Sequence, residues 1–255
     1  MEIGIKGRVA LVSAASSGLG FGVAAAMVRE GATVCICGRD SEKLAKSVER
    51  LRDSGPGGVD ATVVDLRDPA AVLQWVEQVV ADHQRLDIVV SNTGGVDHGD
   101  IRSFQLPDYR TAVESTMLPH IGLTLATLPH LQRNGWGRIV YMTSESVREP
   151  MVDNVLSGTV RSGISAFAKN VANSYGRYGI TANVVAPGYH RTAALDTQFG
   201  DAIDQELERL SAELPVGRVG DPAEFGDVVT FLTGESAGFI SGAMLVVDGG
   251  KAAGI

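Results

Sequence analysis

A turn of glycine and other small residues near the start of the chain separates a short apolar run from an apolar-periodic helix. The run Val9–Val12 predicts a buried strand, and the helical spacing begins at Leu19. A strand that turns in this way into a helix leaves backbone N–H groups and the positive end of the helix dipole facing outward. The sequence therefore predicts either a pyrophosphate site or a βα turn without a ligand. Gly22 predicts that the helix lies close to the sheet.

Composition narrows the class of protein. With 255 residues, 44% of them hydrophobic, the chain can bury one sizeable core, and its net charge of −8 gives a nucleic acid or an anionic membrane no electrostatic support. No apolar run approaches the roughly 20 residues of a membrane span, and the first residues lack a signal-peptide core. Cys35 and Cys37 are interpreted as small core residues in a reducing compartment. We expect a soluble cytoplasmic protein with no metal, no nucleic acid and no membrane partner.

Strand and helix patterns alternate from end to end. Strands are predicted at Val9–Val12, Thr33–Cys37, Ala61–Val64, Leu86–Val90, Arg138–Met142, Ile180–Val185 and Ala243–Val247. Helices are predicted between them, with N-caps at Asp68 and Asp221 and long helices at about 107–131 and 155–177. This order predicts an α/β fold with one domain over 1–255. We expect a Rossmann-like, doubly wound parallel sheet of about seven strands that binds ligands at the carboxyl ends of its strands.

Small and polar residues follow six of the predicted strands. In chain order they are Ser13 to Gly20, Gly38-Arg39, Asp65-Leu66, Ser91 to Gly94, Ser144, and Pro187 to Thr192. Over essentially the whole chain they resemble the short-chain dehydrogenase/reductase superfamily. Its pattern is Thr-Gly-x-x-x-Gly-x-Gly, Asn-Asn-Ala-Gly, an active-site Ser, Tyr-x-x-x-Lys and Pro-Gly-x-x-x-Thr. Ser13-Ala14 stands in place of Thr-Gly and should preserve the backbone geometry, because both side chains are short.

The resemblance implies a dinucleotide site. The pyrophosphate would lie among Ser13, Ala15, Ser16, Ser17, Gly18, Leu19 and Gly20. The adenosine end would be bound by Asp65, Leu66, Asn92 and Gly94, and the nicotinamide end by Arg161, Pro187, Gly188 and Thr192. Gly38 stands where an acidic residue would bind the ribose 2′-hydroxyl of NAD, and Arg39 follows it. A guanidinium suits a 2′-phosphate, so we expect NADP(H).

The catalytic positions depart from the family. Ser144 matches the active-site serine, but Ser157 stands for the tyrosine, Arg161 for the lysine and Thr116 for a relay asparagine. An aliphatic hydroxyl does not titrate near neutrality as a phenol beside an ammonium group can. Arg161 can still stabilise an oxyanion.

Two loop histidines, His98 and His190, are candidate replacement acids, and each could equally be a solvated loop residue. His83, His120 and His130 are interpreted as helix residues without a metal. Pro119, close to Thr116, should disrupt the helix there.

The leading hypothesis is an NADP(H)-dependent oxidoreductase with atypical catalytic residues, acting on a small carbonyl or conjugated enone substrate. A non-redox enzyme (isomerase, dehydratase or cyclase) and a catalytically silent dinucleotide-binding protein are the alternatives. The resemblance also implies a homotetramer or homodimer, paired through the long helices and the last strand. An apolar stripe of Leu118, Ile121, Leu125 and Leu128 suits such a face. A substrate lid is expected at about 193–214.

Overall fold

Seven short segments form parallel strands, and those at the centre of the sheet, Val9–Val12, Ile88–Ser91 and Gly137–Met142, are largely apolar because helices cover both of its faces. The computed structural model describes residues 2–253. The strands are β1 (Val9–Val12), β2 (Thr33–Gly38), β3 (Val59–Val63), β4 (Ile88–Ser91), β5 (Gly137–Met142), β6 (Ile180–Pro187) and β7 (Met244–Val247). The helices are α1 (Gly18–Arg29), α2 (Ser41–Arg52), α3 (Pro69–His83), α4 (Leu106–Ala112), α5 (Leu118–Asn134), α6 (Val155–Tyr175), α7 (Ala193–Phe199), α8 (Ile203–Ala212) and α9 (Pro222–Leu232).

The strand order in the sheet is β3-β2-β1-β4-β5-β6-β7, and every pairing is parallel. The order reverses between β1 and β4, which opens a crevice at their carboxyl ends. The predicted doubly wound fold is confirmed. The predicted N-caps are also confirmed, because the Asp68 and Asp221 side chains each accept hydrogen bonds from the first turn of α3 and α9.

Two buried clusters cover the faces of the sheet. One packs Trp75 of α3 and Leu123 of α5 on Tyr141, and the other packs Met27 of α1 and Phe225 of α9 on the opposite face. Gly22 was predicted to let α1 lie close to the sheet, but the element that it allows to approach is a different one. A Cβ at Gly22 would overlap the carbonyl of Pro222, so this glycine permits contact between α1 and α9 rather than between α1 and the sheet.

The single long helix predicted at 107–131 is divided in three. Val113–Met117 forms a π-helical turn between α4 and α5, in which the Leu118 N–H donates to the carbonyl of Val113. Pro119 lies in the first turn of α5 and has no N–H, so it cannot donate the α-helical hydrogen bond to the residue four positions before it. The disruption expected at Pro119 therefore takes the form of a π-helical turn.

The segment predicted as a lid contains α7, a short 3₁₀ turn and α8. In the apolar stripe of α5, Leu118 and Leu125 are exposed, whereas Leu128 lies in the core, so Leu128 was wrongly included. Within residues 2–253, no helix is both long and apolar enough to cross a membrane.

Candidate active site

The turn between β1 and α1 lies at the crevice where the strand order reverses. Gly18 has φ +61°, and Ser17, the N-cap of α1, makes no side-chain capping bond among the described residues. A Cβ at Gly20 would lie 2.7 Å from the Ala14 carbonyl oxygen and 2.9 Å from the Asn92 amide nitrogen. The turn is thus folded tightly on the end of β4, and the N–H groups of the first helical turn are left for an anion.

Ser13 joins this turn to the loop after β4. Its hydroxyl donates to the Asn92 carbonyl oxygen over 2.7 Å and accepts from the Asn92 N–H over 2.8 Å. The Asn92 side chain donates to the Ala14 carbonyl over 3.2 Å. Ala14 itself has φ +48°, a left-handed conformation that costs a residue with a Cβ about 1–2 kcal/mol. Ala14 therefore adopts, under strain, the left-handed conformation that a glycine would take without cost.

At the carboxyl end of β2, Gly38 leaves room where a larger side chain would crowd Ser16, whose Oγ would lie 3.2 Å from a Cβ. Arg39 beside it is exposed. Asp65, after β3, is already engaged, because Arg67 donates to both of its carboxylate oxygens at 2.5 to 3.1 Å. These bonds, with a smaller contribution from the Arg39 charge, lower the pKa of Asp65 to about 2. Two guanidinium groups thus flank the predicted adenosine end.

Arg161 of α6 is buried without a carboxylate partner among residues 2–253. Its guanidinium donates to the carbonyl oxygens of Met142, Thr143 and Gly94, each over 3.3 Å. Burial lowers its pKa to about 10, so it is a cation at neutral pH. These bonds use three of the five guanidinium N–H groups, leaving two for a ligand.

Three serine hydroxyls form a chain next to Arg161. Ser146 Oγ donates to Ser144 Oγ over 3.0 Å and lies 3.2 Å from Ser157 Oγ. The Ser146 N–H also donates to Ser144 Oγ. Because Ser144 accepts both bonds, its own hydrogen is left to donate to a ligand. The structure therefore brings together Ser144 and Ser157 and adds Ser146 between them.

Behind this chain lie buried polar groups. Thr116, in the π-helical turn, is fully buried, and its Oγ1 has no hydrogen-bond partner within residues 2–253. His120, one turn on, has its Nδ1 2.6 Å from Ser91 Oγ. Burial, and secondarily the Arg161 charge, lowers the pKa of His120 to about 3, so its imidazole is neutral.

The predicted nicotinamide end closes the site from β6. Pro187 ends that strand, and the Gly188 N–H donates to the Val247 carbonyl oxygen over 2.9 Å. Thr192 caps α7 and approaches Gly18, where a Cβ would lie 3.7 Å from its methyl group. The predicted nicotinamide end therefore lies next to the predicted pyrophosphate turn.

His190 is packed among Phe225, Gly188 and Gly220. Its ring packs edge-on against Phe225 at 5.4 Å between centroids, and its Nδ1 lies 3.1 Å from the Gly188 carbonyl oxygen. Burial lowers its pKa, which leaves the imidazole neutral at pH 7. His98 is an exposed loop residue.

The sequence analysis missed one charged pair. Lys251, near the end of the chain, donates to Glu145 over 2.7 Å and lies 4.5 Å from the centroid of the Tyr189 ring. Burial raises the pKa of Glu145, against the lowering influence of Lys251. A cavity of about 240 Å³ opens beside the pair, lined by Glu145, Glu149, Pro150, Met151, Lys251 and Ala252. Ser146 could have been found from its place two residues after Ser144, but no local signal joins Glu145 to Lys251.

Known proteins resemble this chain along nearly all its length. A family model described as enoyl-(acyl carrier protein) reductase matches residues 13–252. The (2S)-[(R)-hydroxy(phenyl)methyl]succinyl-CoA dehydrogenase subunit BbsD of Thauera aromatica is 30% identical over 249 residues, covering 98% of each chain.

Solved structures of known proteins also share the fold of this chain over nearly its whole length. The L-sorbose reductase of Gluconobacter frateurii, complexed with NADPH and L-sorbose, superposes with a TM-score of 0.93 at 24% identity over 100% of both chains. A single-residue variant of the actinorhodin polyketide ketoreductase, solved with NADPH, has a TM-score of 0.89 at 27% identity, covering 96% of this chain and 97% of that one. With its matched length, its parallel sheet and its strand-end residues, this chain belongs to the short-chain dehydrogenase/reductase superfamily of oxidoreductases.

Proposed function

We propose that this chain is an NADP(H)-dependent reductase that stabilises a developing enolate through hydroxyl and guanidinium donors, without a titrating phenol. The observation that carries the proposal is the hydrogen-bonded chain Ser157–Ser146–Ser144 at the positions where the family places its serine and tyrosine. Its substrate is a small conjugated carbonyl compound.

The cradle fits NADP(H). The open N-terminus of α1 suits the pyrophosphate, with Ser13, Ala15, Ser16, Ser17, Gly18, Leu19 and Gly20 around it. Arg39, with Arg67 nearby, suits a 2′-phosphate, and Gly38 presents no carboxylate to repel it. Leu66, Asn92 and Gly94 border the adenosine end, and Pro187, Gly188, Thr192 and Arg161 the nicotinamide end. The bound dinucleotide supplies a hydride to the substrate carbon.

The residues of this chain would act on the substrate oxygen. Reduction of a ketone produces an alkoxide that needs prompt protonation on oxygen. Reduction at the β-carbon of an enone instead produces an enolate, which water can later protonate on carbon. Ser144 would donate its free hydrogen to the enolate oxygen, and Arg161 would add its charge, each such donor being worth about 2–4 kcal/mol. Ser157 polarises Ser144 through Ser146.

The relatives support both parts of the proposal. The matching family model is described as enoyl-(acyl carrier protein) reductase, and an enoyl group is a conjugated carbonyl group. The ketoreductase that is 27% identical was solved with NADPH. His190 is a weaker candidate for the replacement acid, because it is held against Phe225 and its pKa is lowered by burial.

Cofactor choice is tested by titrating the protein with NADPH and NADH. NADPH should bind more tightly, and Arg39→Ala should weaken NADPH about ten- to a hundredfold while leaving NADH nearly unchanged. Arg52→Ala, at the far end of α2, is the matched control and should change neither affinity. Equal affinities for the two cofactors in the wild type would remove the argument from Arg39.

Substrate class is tested by following NADPH consumption with pairs of conjugated enones and saturated ketones of the same skeleton. The enones should be reduced faster. Efficient ketone reduction would overturn the enolate mechanism. Product formation without net NADPH consumption would indicate an isomerase, dehydratase or cyclase, and binding without turnover would indicate a silent dinucleotide-binding protein.

We also propose that the chain forms a homotetramer or homodimer and that α7 and α8 form the substrate lid. Leu118 and Leu125 on α5 and Met244 and Leu245 on β7 are large apolar side chains left exposed. They lie on two of the elements through which family members pair, which supports the assembly.

A further inference from the structure

A cluster of three different ligand types lies outside the candidate active site, on the β2–β3 edge of the sheet. Cys35 of β2 and Asp60 of β3 are register partners in the sheet, and His83 is the last residue of α3. The three ligand atoms, one from each residue, all lie within 4.8 Å of one another. Three separate elements therefore present a thiol, a carboxylate and an imidazole to one point.

We propose that Cys35, Asp60 and His83 bind a zinc ion or a similar divalent transition-metal ion at this edge of the sheet.

The distances suit a metal centre. His83 Nε2 lies 3.6 Å from Cys35 Sγ and 3.0 Å from Asp60 Oδ2. With Zn–S near 2.3 Å and Zn–N near 2.0–2.1 Å, tetrahedral geometry requires a sulfur–nitrogen separation of about 3.6 Å. The ligand set of thiolate, imidazole and carboxylate is the one that zinc accepts. A small movement of the exposed Asp60 side chain would complete three ligand bonds.

Hydrogen bonding alone accounts for the cluster less well. Nε2 of His83 carries either one hydrogen or one lone pair, yet both the sulfur and the carboxylate approach it. If Nε2 carries a hydrogen, it donates to the Asp60 carboxylate, and the Cys35 thiol then finds no acceptor at that nitrogen. A lone pair would face a carboxylate. A cation bound to all three atoms removes this conflict.

Two carboxylates, those of Asp60 and Asp82, give the surroundings of Cys35 a negative charge. Burial raises the pKa of the Cys35 thiol to about 12, with smaller contributions in the same direction from the charges of Asp60 and Asp82. Within residues 2–253, no Lys or Arg forms an ion pair with either carboxylate. A divalent cation would reverse this effect, since a coordinating thiol loses its proton, here to solvent. Water would supply the fourth ligand.

The site has a path from solvent, because the side chains of Asp60 and His83 are 59% and 23% exposed. It also differs from the dinucleotide cradle, since Cys35 lies within β2, whereas Gly38 ends the strand and Arg39 follows it. A metal here would fasten the exposed edge strand β3 and the end of α3 to β2. Cys35, interpreted from the sequence as a small core residue, would then be a metal ligand.

The test is titration of the chelator-treated protein with Co²⁺ in the absence of thiol reductants. We expect one equivalent to bind, with a thiolate-to-cobalt band in the near ultraviolet, and Zn²⁺ to displace it. Cys35→Ser should abolish the band. Cys37→Ser is the matched control and should retain it, because Cys37 is equally buried on the same face of β2 but does not belong to the cluster of ligand atoms.

Asp60→Asn and His83→Gln keep the test decisive if Cys35→Ser fails to fold. Each should weaken Co²⁺ binding about tenfold or more while keeping some thiolate band. Absence of the band in the wild type, or its persistence in Cys35→Ser, would overturn the proposal. Because the readout is metal absorption, it does not depend on enzyme activity.

Discussion

The Lys251 ammonium nitrogen lies 2.7 Å from a carboxylate oxygen of Glu145, so the end of the chain is tied to the residue that follows Ser144. The side chains are only 19% and 7% exposed, respectively. Such a pair positions the loop after β5 beside the serine chain. Removing one partner leaves the other charge poorly solvated.

Lys251→Met should therefore destabilise the protein by about 2 kcal/mol at pH 8. Burial raises the pKa of Glu145, and without Lys251 this pKa rises further. The pKa of Glu145 is higher in the folded protein than in the unfolded chain, where it is about 4.3. Its contribution to stability is therefore fully present below the unfolded pKa and is lost as the pH rises through the folded pKa. The loss should thus be small near pH 4.5 and grow towards pH 8 in urea unfolding. The double variant with Glu145→Gln should recover most of it; equal losses at both pH values would contradict this account.

The serine chain predicts unequal effects on turnover. Ser144→Ala should lower kcat about a hundredfold, because it removes the donor nearest the substrate oxygen. Ser157→Ala should change kcat only a fewfold, since Ser146 still donates to Ser144. Steady-state kinetics with NADPH and an enone would measure both. A pH profile controlled by a group near pKa 6–7, lost in His190→Ala, would instead make that histidine the acid.

Ala14 predicts a stabilising change. Its φ of +48° is strained for alanine but ordinary for glycine, so Ala14→Gly should raise the free energy of unfolding by about 0.5–1 kcal/mol. Ala25→Gly, inside α1, is the control and should lower it by about 1 kcal/mol. Denaturant unfolding of the two variants would check the opposite signs. A loss in both would show that Ala14 is not strained.

The contact between α1 and α9 predicts a destabilising change. Gly22→Ala would press a methyl group on the Pro222 carbonyl, and we expect a loss of about 1–3 kcal/mol in the free energy of unfolding. Gly176→Ala, at a helical φ of −54° with no atom within 4 Å of its Cβ, should change stability by less than about 0.5 kcal/mol. Similar unfolding midpoints for the two variants would refute the close packing.

The proposed assembly predicts a multimer at micromolar concentration in light scattering. Leu125→Glu, on the exposed stripe of α5, should shift the mass towards smaller species, because a charge would be buried in the interface. Leu73 on α3 is a similarly exposed leucine outside the proposed interface, so Leu73→Glu should leave the mass unchanged. A monomeric wild type would exclude the assembly.

Much of the fold could be predicted from local signals. Buried runs such as Val9–Val12 stay apolar because both faces of a parallel sheet are covered, and caps such as Asp68 satisfy nearby N–H groups. The edge strand β3 was misplaced by two residues at its start, at Val59 rather than Ala61. Four of its five residues are exposed, so no apolar pattern marks its beginning.

The sequence by itself determined the order of strands and helices. It also predicts a phosphate-binding turn after β1, and it places Ser157 and Arg161 where the resemblance expects a tyrosine and a lysine. Tertiary structure alone decided which distant groups meet. Cys35 and His83 are 48 residues apart, and Glu145 and Lys251 are 106 apart. The physical reason is that strand register and helix packing set these contacts, and neither leaves a periodic trace in the residues that make them.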